Sequence, residues 1–342
     1  MKKLLAILLC IPFILGGCSG KDDVTKSDGT DTAGVVEEVE DIVPETDNEF
    51  YNMANSTKRP VAVMIDNDSE DSRPQIGPEH AFLVYEIIVE GGATRMMALF
   101  KNHDIEKVGP VRSSRHYFLD YALENDAIYA HAGWSPQAER DIPLLGVDNI
   151  NGILGNDGVN FWRDNTYDNT WHNLYTSVKK LTDYAKNEKS YPVRTKETVL
   201  NMSTEDVTPE GTDCTDLTVK YSNMYSVKFK YNAEEGVYER SLNGKPHVSH
   251  TGEVFSAKNI IVYDVANYTL DDGQNKGRQD IKNIGTGKGW YVSLGKAVPI
   301  TWKKDSRESK TVYSTEDGKK LEVNPGITYI QIIPKDNPIT MS

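Results

Sequence analysis

The sequence predicts an α+β or α/β N-terminal domain followed by a β-rich C-terminal domain. Between residues 56 and 200, short apolar runs alternate with segments of helical periodicity, which is typical of α/β and α+β domains. Between residues 213 and 338, runs of β-forming residues are separated by Asn-Gly and Asp-Gly turn pairs. These two regions lie within roughly 290 residues, which is enough for two domains.

The N-terminus has the pattern of a secretory signal. Lys2 and Lys3 precede an apolar run, Leu4–Leu15, which is shorter than the roughly 20 residues that a bilayer-spanning helix needs. The run ends in Leu-Gly-Gly-Cys18, which resembles a bacterial lipobox. We therefore expect residues 1–17 to be removed as a signal peptide and Cys18 to carry acyl chains such as palmitate. The alternative is an ordinary cleaved signal with a chance cysteine.

Two or more acyl chains anchor a protein stably, so Cys18 predicts attachment to the extracytoplasmic face of the cell membrane. We expect residues 18–55 to be a disordered tether, because eleven acidic residues lie between Asp22 and Glu49 and few apolar residues accompany them. This segment accounts for most of the net charge of −13. The rest of the chain is only mildly acidic, and nothing in it predicts nucleic-acid binding.

The elements of the N-terminal domain follow from short patterns. Pro60-Val-Ala-Val-Met-Ile reads as a buried strand, and Gly91-Gly92 between two apolar runs reads as the loop of a β-hairpin. Apolar spacing and a possible serine cap predict a helix over residues 113–124. A strand is expected at 127–131, a short helix at 136–145 and a clearer helix at 173–186.

The hairpin carries an unusual charged face. With Gly91 and Gly92 as the loop, Ile88 lies opposite Arg95, and alternation places Glu86, Glu90 and Arg95 on one face. Arg95 is then diagonal to both glutamates. Two interpretations stay open, a structural ion pair and a preorganised polar site.

Anion-binding chemistry is suggested near the predicted helix at residue 113. Arg112, Ser113 and Arg115 surround its start, where unpaired N–H groups and the helix dipole favour negative charge. Planar guanidinium groups suit carboxylate or phosphate. The alternative is that both arginines pair locally at the surface.

A catalytic interpretation rests on three candidates. Glu86 and Glu90 can form a paired-carboxylate system of the glycosidase kind, with His131 as a proton shuttle. Arg95 beside the glutamates would keep both ionised, which disfavours a general acid. His131 closes an apolar strand, so a structural role is the alternative. The chain lacks HExxH, Walker A and Gly-x-Ser-x-Gly motifs.

The C-terminal region has at least eight β-like segments and almost no helical periodicity, and residues 195–212 read as its connection to the first domain. Of three cysteines, only Cys214 lies beyond the lipobox, so an intramolecular disulfide and a cysteine zinc site are excluded for the mature chain. We expect no metal and no cofactor.

Several spaced motifs together resemble the YerB-like bacterial lipoproteins, a family that carries the DUF3048 domain and a C-terminal companion domain. The resemblance covers nearly the whole mature chain and implies lipid anchoring, an extracytoplasmic location and a link to the cell envelope. It implies no biochemical activity. The motifs are Arg59-Pro-Val-Ala-Val-Met, Arg73-Pro-Gln, Tyr85-Glu, Glu90-Gly-Gly, Thr94-Arg, Gly109-Pro-Val-Arg-Ser, Arg115, His131-x-Gly, Trp162-Arg, His172-Asn-Leu-Tyr-Thr, Tyr238-x-Arg and Leu321-x-Val-Asn-Pro-Gly.

The leading hypothesis is an envelope binding protein that recognises an acidic or amino-sugar wall polymer, or a partner protein of wall synthesis. Tryptophans near the polar motifs suit stacking on sugar rings, although core packing is the alternative use. The alternative function is a peptidoglycan-active, glycan-cleaving enzyme using Glu86 or Glu90 with His131. A scaffold role for the β-rich domain is a third possibility. The expected binding residues are Arg95, Arg112, Ser113, Arg115, Arg163, His172 and Asn173.

Overall fold

The computed structural model describes residues 46–167, 170–193 and 198–342. The described residues belong to one compact unit. The predicted signal peptide, the predicted lipidation site Cys18 and the predicted tether as far as residue 45 lie outside the described residues. None of the described helices is long and apolar enough to cross a membrane.

Four α-helices are present among the described residues: α1 Glu49–Ala54, α2 His116–Glu124, α3 Pro136–Leu144 and α4 Val178–Asn187. Helix α1 falls inside the segment predicted to be tether, and it is folded, because Tyr51 and Ala54 are buried against the core. The folded part of the chain therefore begins before residue 56.

Two predicted helices start later than expected. Helix α2 has Arg115 at its N-cap without a side-chain cap hydrogen bond, so Ser113 and Ser114 lie outside it. The segment predicted as a helix from residue 173 is first a strand, and α4 begins only after Ser177, whose hydroxyl accepts from the Lys180 amide at 3.2 Å. The serine cap fixes that start.

The described strands are more numerous than the sequence indicated. In the N-terminal region they are β1 Val61–Asn67, β2 Leu83–Ile88, β3 Thr94–Phe100, β4 Ile128–His131, β5 Asn149–Asn151, β6 Phe161–Arg163, β7 Leu174–Thr176 and β8 Asn201–Met202. The next are β9 Thr212–Asp213, β10 Asp216–Lys220, β11 Ser226–Asn232, β12 Val237–Leu242, β13 Lys245–Pro246, β14 Ser256–Ala257, β15 Asn259–Val265 and β16 Asn267–Thr269. The last are β17 Gln279–Ile281, β18 Gly285–Ser293, β19 Lys296–Lys304, β20 Val312–Thr315, β21 Glu322–Val323, β22 Thr328–Pro334 and β23 Ile339–Met341.

One central sheet joins the two sequence regions. Its order is β20-β19-β18-β15-β22-β2-β3-β1-β4-β5, with β9 paired to β19. Strand β22, from the end of the chain, lies parallel to β2 and pairs Gln331 with Glu86. A second sheet, β13-β12-β11-β10-β23, comes from the C-terminal region, with β14 paired to β12. The fold is thus a strand-rich body with a few helices, as the sequence predicts, and its main sheet crosses the boundary between the two regions.

The two faces of the central sheet bury different layers. Met64, Tyr85 and Met97 pack in one cluster with the aromatic side chains of α2. Val63, Val84 and Ala98 face the other way and pack in a second cluster with α4 and with strands of the second sheet. Because side chains alternate along a strand, a charged residue on β1, β2 or β3 belongs to one of these layers only.

The predicted hairpin register is wrong by one residue. Strand β2 pairs Ile87 with Arg95 and Ile88 with Thr94. The loop runs from Val89 to Ala93 and contains a 3₁₀ turn at Glu90–Gly92, and the Val89 amide donates to the Ala93 carbonyl at 2.8 Å. A one-residue slip moves every side chain to the opposite face. Glu86 and Arg95 therefore lie on opposite faces of the sheet.

Candidate functional site

Glu86 pairs with a residue that lies 154 positions away in the chain. Both side-chain oxygens of Glu86 accept from Nη2 of Arg240, at 2.8 and 2.9 Å, and both residues are fully buried. Thr94 and Gln331 donate to the same carboxylate at 2.7 and 3.0 Å. Charge and hydrogen bonds of Glu86 are thus satisfied inside the protein, which assigns it to structure and leaves it without access to a substrate.

Arg240 and its other neighbours in this network are also buried. Arg240 also contacts His247 Nδ1, and His247 Nε2 hydrogen bonds to the Gln75 side-chain oxygen at 2.6 Å. Burial, followed by the charge of Arg240, holds the pKa of His247 well below its usual value. Burial alone would lower the pKa of Arg240, but Glu86 outweighs it and raises that pKa. His247 is therefore neutral, and Arg240 keeps its charge beside Glu86.

His131 has a structural environment as well. Its ring is fully buried, with Nδ1 2.8 Å from the Gly133 carbonyl oxygen and Nε2 3.2 Å from Oδ1 of Asn149. Burial lowers its pKa, against the hydrogen bond to Gly133. Ala130 pairs with Val63 and faces the same side of the central sheet as Val63 and Glu86. His131 follows Ala130 and therefore faces the opposite side. Glu86 and His131 therefore cannot flank one glycosidic bond.

A second charged group lies at the carboxyl end of β1. Asp66, Asp68, Arg95, Arg112 and His172 form what we name the strand-end cluster. Strands β1, β4 and β5 run parallel, and ligands of α/β sheets commonly bind at the carboxyl ends of parallel strands. The cluster occupies that edge.

Asp66 is the centre of the strand-end cluster. Its Oδ2 lies 3.0 Å from Nε of Arg112 and 2.8 Å from Nδ1 of His172. Nη2 of Arg112 donates to Asp68 at 3.0 Å. Burial works to raise the pKa of Asp66, but the His172 hydrogen bond and the charges of Arg112 and Arg95 outweigh it and hold that pKa below its usual value. The same hydrogen bond raises the pKa of His172.

Arg95 differs from the other arginines. It stands opposite Asp66 in the β1–β3 register and is only 4% exposed, and its Nη1 donates to the Ser113 carbonyl at 2.6 Å. Within the described residues it has no carboxylate within ion-pair distance, and its Nε has no hydrogen-bond partner. Burial, reinforced by the charge of Arg115, lowers the pKa of Arg95 to about 10. Arg95 is thus a buried cation without an ion pair of its own.

Arg115 forms a fork with Glu90. Its Nε and Nη2 donate to the two carboxylate oxygens at 2.7 and 2.9 Å. Burial favours the neutral form of Glu90, but Arg115 prevails, so the pKa of Glu90 is lowered. Arg112 and Arg115 are both paired with nearby carboxylates, so they fit the alternative of local ion pairs better than an open anion site at the start of a helix.

The remaining predicted residues lie on adjoining loops. Arg163 is exposed and donates to the Asn173 side-chain oxygen at 2.5 Å, next to His172 in the chain. Ser113 donates from its hydroxyl to the Ala132 carbonyl at 2.9 Å. Arg95, Arg112 and His172 thus lie in the strand-end cluster, and the Ser113 carbonyl accepts a hydrogen bond from Arg95. Asn173 follows His172 in the chain and accepts from Arg163.

An aromatic side chain covers the outer side of the strand-end cluster. The Trp171 ring centroid lies 4.3 Å from Cζ of Arg112 and 5.0 Å from the His172 ring. Trp171 is 63% exposed. Burying such a large ring stabilises a protein, and this one is left in solvent over a guanidinium group. Trp134 and Tyr175, by contrast, pack inward against the described core.

The strand-end cluster has ligands of the kind a cation needs. Asp66, Asp68 and His172 each offer one atom, and these atoms lie within 4.8 Å of one another. The guanidinium of Arg112 already contacts both carboxylates, so a metal ion would have to displace it. The absence of a metal cofactor stays a prediction.

Sequence reasoning missed several members of these networks, among them Asp66 and Arg240. Asp66 directly follows the predicted strand 60–65, and a carboxylate at the end of a buried strand is a signal that can mark a site. Arg240 is part of the Tyr238-x-Arg motif, but nothing in its local sequence indicates a buried ion pair, because its partner Glu86 lies in the other predicted domain.

Comparisons with known proteins agree with this architecture. Residues 48–191 match the N-terminal domain, and residues 217–330 the C-terminal domain, of the family described as protein of unknown function DUF3048. A protein of Bacillus subtilis (strain 168) described as "Putative lipoprotein YerB" is 33% identical over 281 residues, which cover 81% of this chain and 82% of that protein.

A crystal structure of the YerB protein from Bacillus subtilis superimposes with a TM-score of 0.71 at 31% identity, covering 83% of this chain and 94% of the other. The chain therefore belongs to the DUF3048 family of YerB-like proteins.

Proposed function

We propose that this chain is a membrane-anchored lipoprotein on the extracytoplasmic face, and that its folded unit binds an anionic or amino-sugar polymer of the cell wall through the strand-end cluster. The lipobox at Cys18 and the description of the YerB relative support the anchor. A protein of the wall-synthesis machinery is the alternative partner.

The observation that carries the proposal is Trp171, exposed over Arg112 at the edge of the parallel strands. Aromatic rings present a flat apolar face on which a sugar ring can stack. An exposed ring held against a guanidinium group and the His172 ring is also fixed in orientation, which lowers the entropy that binding costs.

Charge favours an anionic ligand. In the strand-end cluster, the carboxylates of Asp66 and Asp68 face the guanidinium groups of Arg112 and Arg95, and His172 adds positive charge when protonated. Arg163 is exposed, and a carboxylate or phosphate reaching it gains a charge-assisted hydrogen bond.

Co-sedimentation with purified sacculi tests the proposal. The chain from residue 19 onward, as wild type, Trp171→Ala and Arg163→Ala, is incubated with sacculi that retain or have lost their covalently attached anionic polymers. Leu144→Ala is the matched control, because Leu144 is also an exposed apolar side chain, 74% exposed on α3.

We expect Trp171→Ala to reduce retention about tenfold, which corresponds to 1.4 kcal/mol, and Leu144→Ala to leave it unchanged. A loss confined to sacculi with anionic polymers identifies those polymers as the ligand, and an equal loss on both identifies the glycan. Retention of Trp171→Ala and Arg163→Ala at the wild-type level would overturn the assignment of the site.

A further inference from the structure

A cavity lies between the loop that follows β1 and the β12–β13 hairpin. Its volume is about 370 Å³, within the range of small-molecule sites. Residues from 70 to 74 contribute one wall, and residues from 242 to 252 contribute the other. We name it the Arg73 cavity, and none of its lining residues belongs to the strand-end cluster.

Arg73 is a half-buried cation without an ion pair. It begins the Arg73-Pro-Gln motif, and within the described residues no carboxylate lies at ion-pair distance from its guanidinium group. Its Nη2 donates to Asn67 at 3.5 Å. Nε is enclosed by the protein, whereas Nη1 is neither enclosed nor hydrogen-bonded within those residues. The open Nη1 group can donate to a carboxylate or phosphate oxygen of a ligand.

The other charged side chains of the lining leave this cation uncompensated. Nζ of Lys245 binds Glu70 at 2.6 Å, and both side chains are largely exposed. Nδ1 of His250 lies 3.5 Å from Oε1 of Glu79, which does not line the cavity. With Arg73 and Lys245 positive and Glu70 negative, the lining has a net charge of +1, and a protonated His250 would add to it. The cavity therefore favours a negatively charged ligand.

The neutral polar side chains of the lining are already hydrogen-bonded. Oδ1 of Asn243 accepts from the Ser226 amide at 2.9 Å, and Oγ of Ser249 lies 2.7 Å from Oγ1 of Thr251. The guanidinium group of Arg73 thus remains as an open donor beside an apolar surface. That surface comprises Pro74, Leu242, Pro246 and Val248.

The two walls of the cavity are held together by Gln75. Its Oε1 lies 2.6 Å from Nε2 of His247, and its carbonyl accepts from the His250 amide at 3.2 Å. His247 lines the cavity but is neutral, so it adds no charge. Walls that are fixed before binding lower the entropy that binding costs.

We propose that the Arg73 cavity binds a small monocarboxylate that carries a short apolar group, with the carboxylate on Nη1 of Arg73. A net charge of +1 matches a monoanion, whereas a dianionic phosphate would exceed it. The C-terminus of a peptide and a free carboxylic acid both have this chemistry. The inference does not depend on the wall binding proposed for the strand-end cluster, because the two sets of residues are different.

Calorimetric titration of the full-length chain in detergent, at low ionic strength, tests the proposal. The probes are N-acetyl-alanyl-alanine, its uncharged C-terminal amide, propionate and inorganic phosphate. The variants are Arg73→Gln, which removes the open guanidinium group, and Val248→Trp, which fills the cavity and keeps every charge. Lys230→Gln is the control, because it removes one positive charge from an exposed side chain of β11 outside the cavity.

We expect N-acetyl-alanyl-alanine or propionate to bind with a dissociation constant of about 1 mM or tighter. Arg73→Gln should weaken this binding at least tenfold and Val248→Trp should abolish it, while Lys230→Gln and Trp171→Ala leave it unchanged. Binding of the peptide alone identifies a C-terminus as the ligand, and equal binding of propionate identifies a free acid. The proposal is overturned if neither carboxylate binds, if the amide or phosphate binds equally well, or if Arg73→Gln or Val248→Trp binds as wild type.

Discussion

At the scale of single residues, Glu86 shows how the protein uses a buried charge. Its carboxylate and Arg240 are each fully buried, and they come from β2 and β12. Removing one member of such a pair leaves the other as an uncompensated buried charge, which typically costs about 3–5 kcal/mol, a large fraction of the roughly 5–15 kcal/mol that keeps a domain folded.

We therefore expect Glu86→Ala to lower the free energy of unfolding by about 3–5 kcal/mol, measured by urea denaturation. The double variant Glu86→Leu/Arg240→Met should recover part of this loss, because it removes both charges and keeps apolar volume. Glu90→Ala is the control, since Glu90 lies in a partly exposed loop pair. A loss of less than about 1 kcal/mol for Glu86→Ala would contradict the structural role.

His172 gives the residue-scale prediction for pH. Its pKa is raised above the usual value of about 6.5 by the hydrogen bond to Asp66, so the folded state binds a proton that the unfolded state releases first. This stabilisation is complete below about pH 6.5 and is lost as pH rises through the raised pKa.

The difference in unfolding free energy between wild type and His172→Gln should thus shrink as pH increases from about 6.5 through the raised pKa of His172. Denaturation series at several pH values provide the measurement. His250→Gln is the comparison, because His250 is a more exposed histidine at 3.5 Å from Glu79. A difference that grows with pH would mean that His172 does not carry a raised pKa.

At the scale of elements, the β2–β3 loop decides which charges meet. The sequence predicted the hairpin and its apolar strands, but it assigned a two-residue loop, and the longer turn at Glu90–Gly92 moves Arg95 to the face of Asp66. Periodicity cannot distinguish these loops, because both fit Gly-Gly. The strand at Val61–Asn67 and helix α3 were predictable, since their patterns are local.

The two glycines of this loop should differ on substitution. Gly91 has a φ of +69° with nothing within 4 Å of an added Cβ, so Gly91→Ala should cost about 1 kcal/mol from backbone strain. Gly92 has a φ of +75°, and its Cβ would lie 2.8 Å from Cβ of Ser222. Gly92→Ala should therefore cost at least about 1 kcal/mol more in thermal or urea denaturation. Equal losses would contradict the close packing of this loop on Ser222.

At the scale of the whole molecule, the central sheet joins the regions that the sequence separates. Strand β22 lies between β15 and β2, so β2 has the end of the chain as its neighbour. Composition and turn signals describe the chain only locally. They carry no information on which strands pair across a separation of 245 residues, as β2 and β22 do. Arg95, Arg112 and His172 were predictable as site residues from their local motifs, but their meeting at Asp66 depends on the strand register, which no local pattern carries.

We expect residues 46–211 expressed alone not to fold cooperatively. The fragment would expose the unpaired edge of β2 and would bury Glu86 without Arg240. Co-expression with residues 212–342 should restore a stable complex, detected by co-purification and circular dichroism. A monomeric fragment with a cooperative thermal transition would contradict this expectation.

The central functional claim, that the strand-end cluster binds a wall polymer through Trp171, can be tested most directly by NMR. The chain has five tryptophans, whose indole N–H signals are assigned by single substitution. On addition of soluble wall fragments, the account predicts a shift of the Trp171 signal, with the signals of buried Trp302 and of Trp290 unchanged. Wall fragments that bind while the Trp171 signal stays in place would contradict the claim.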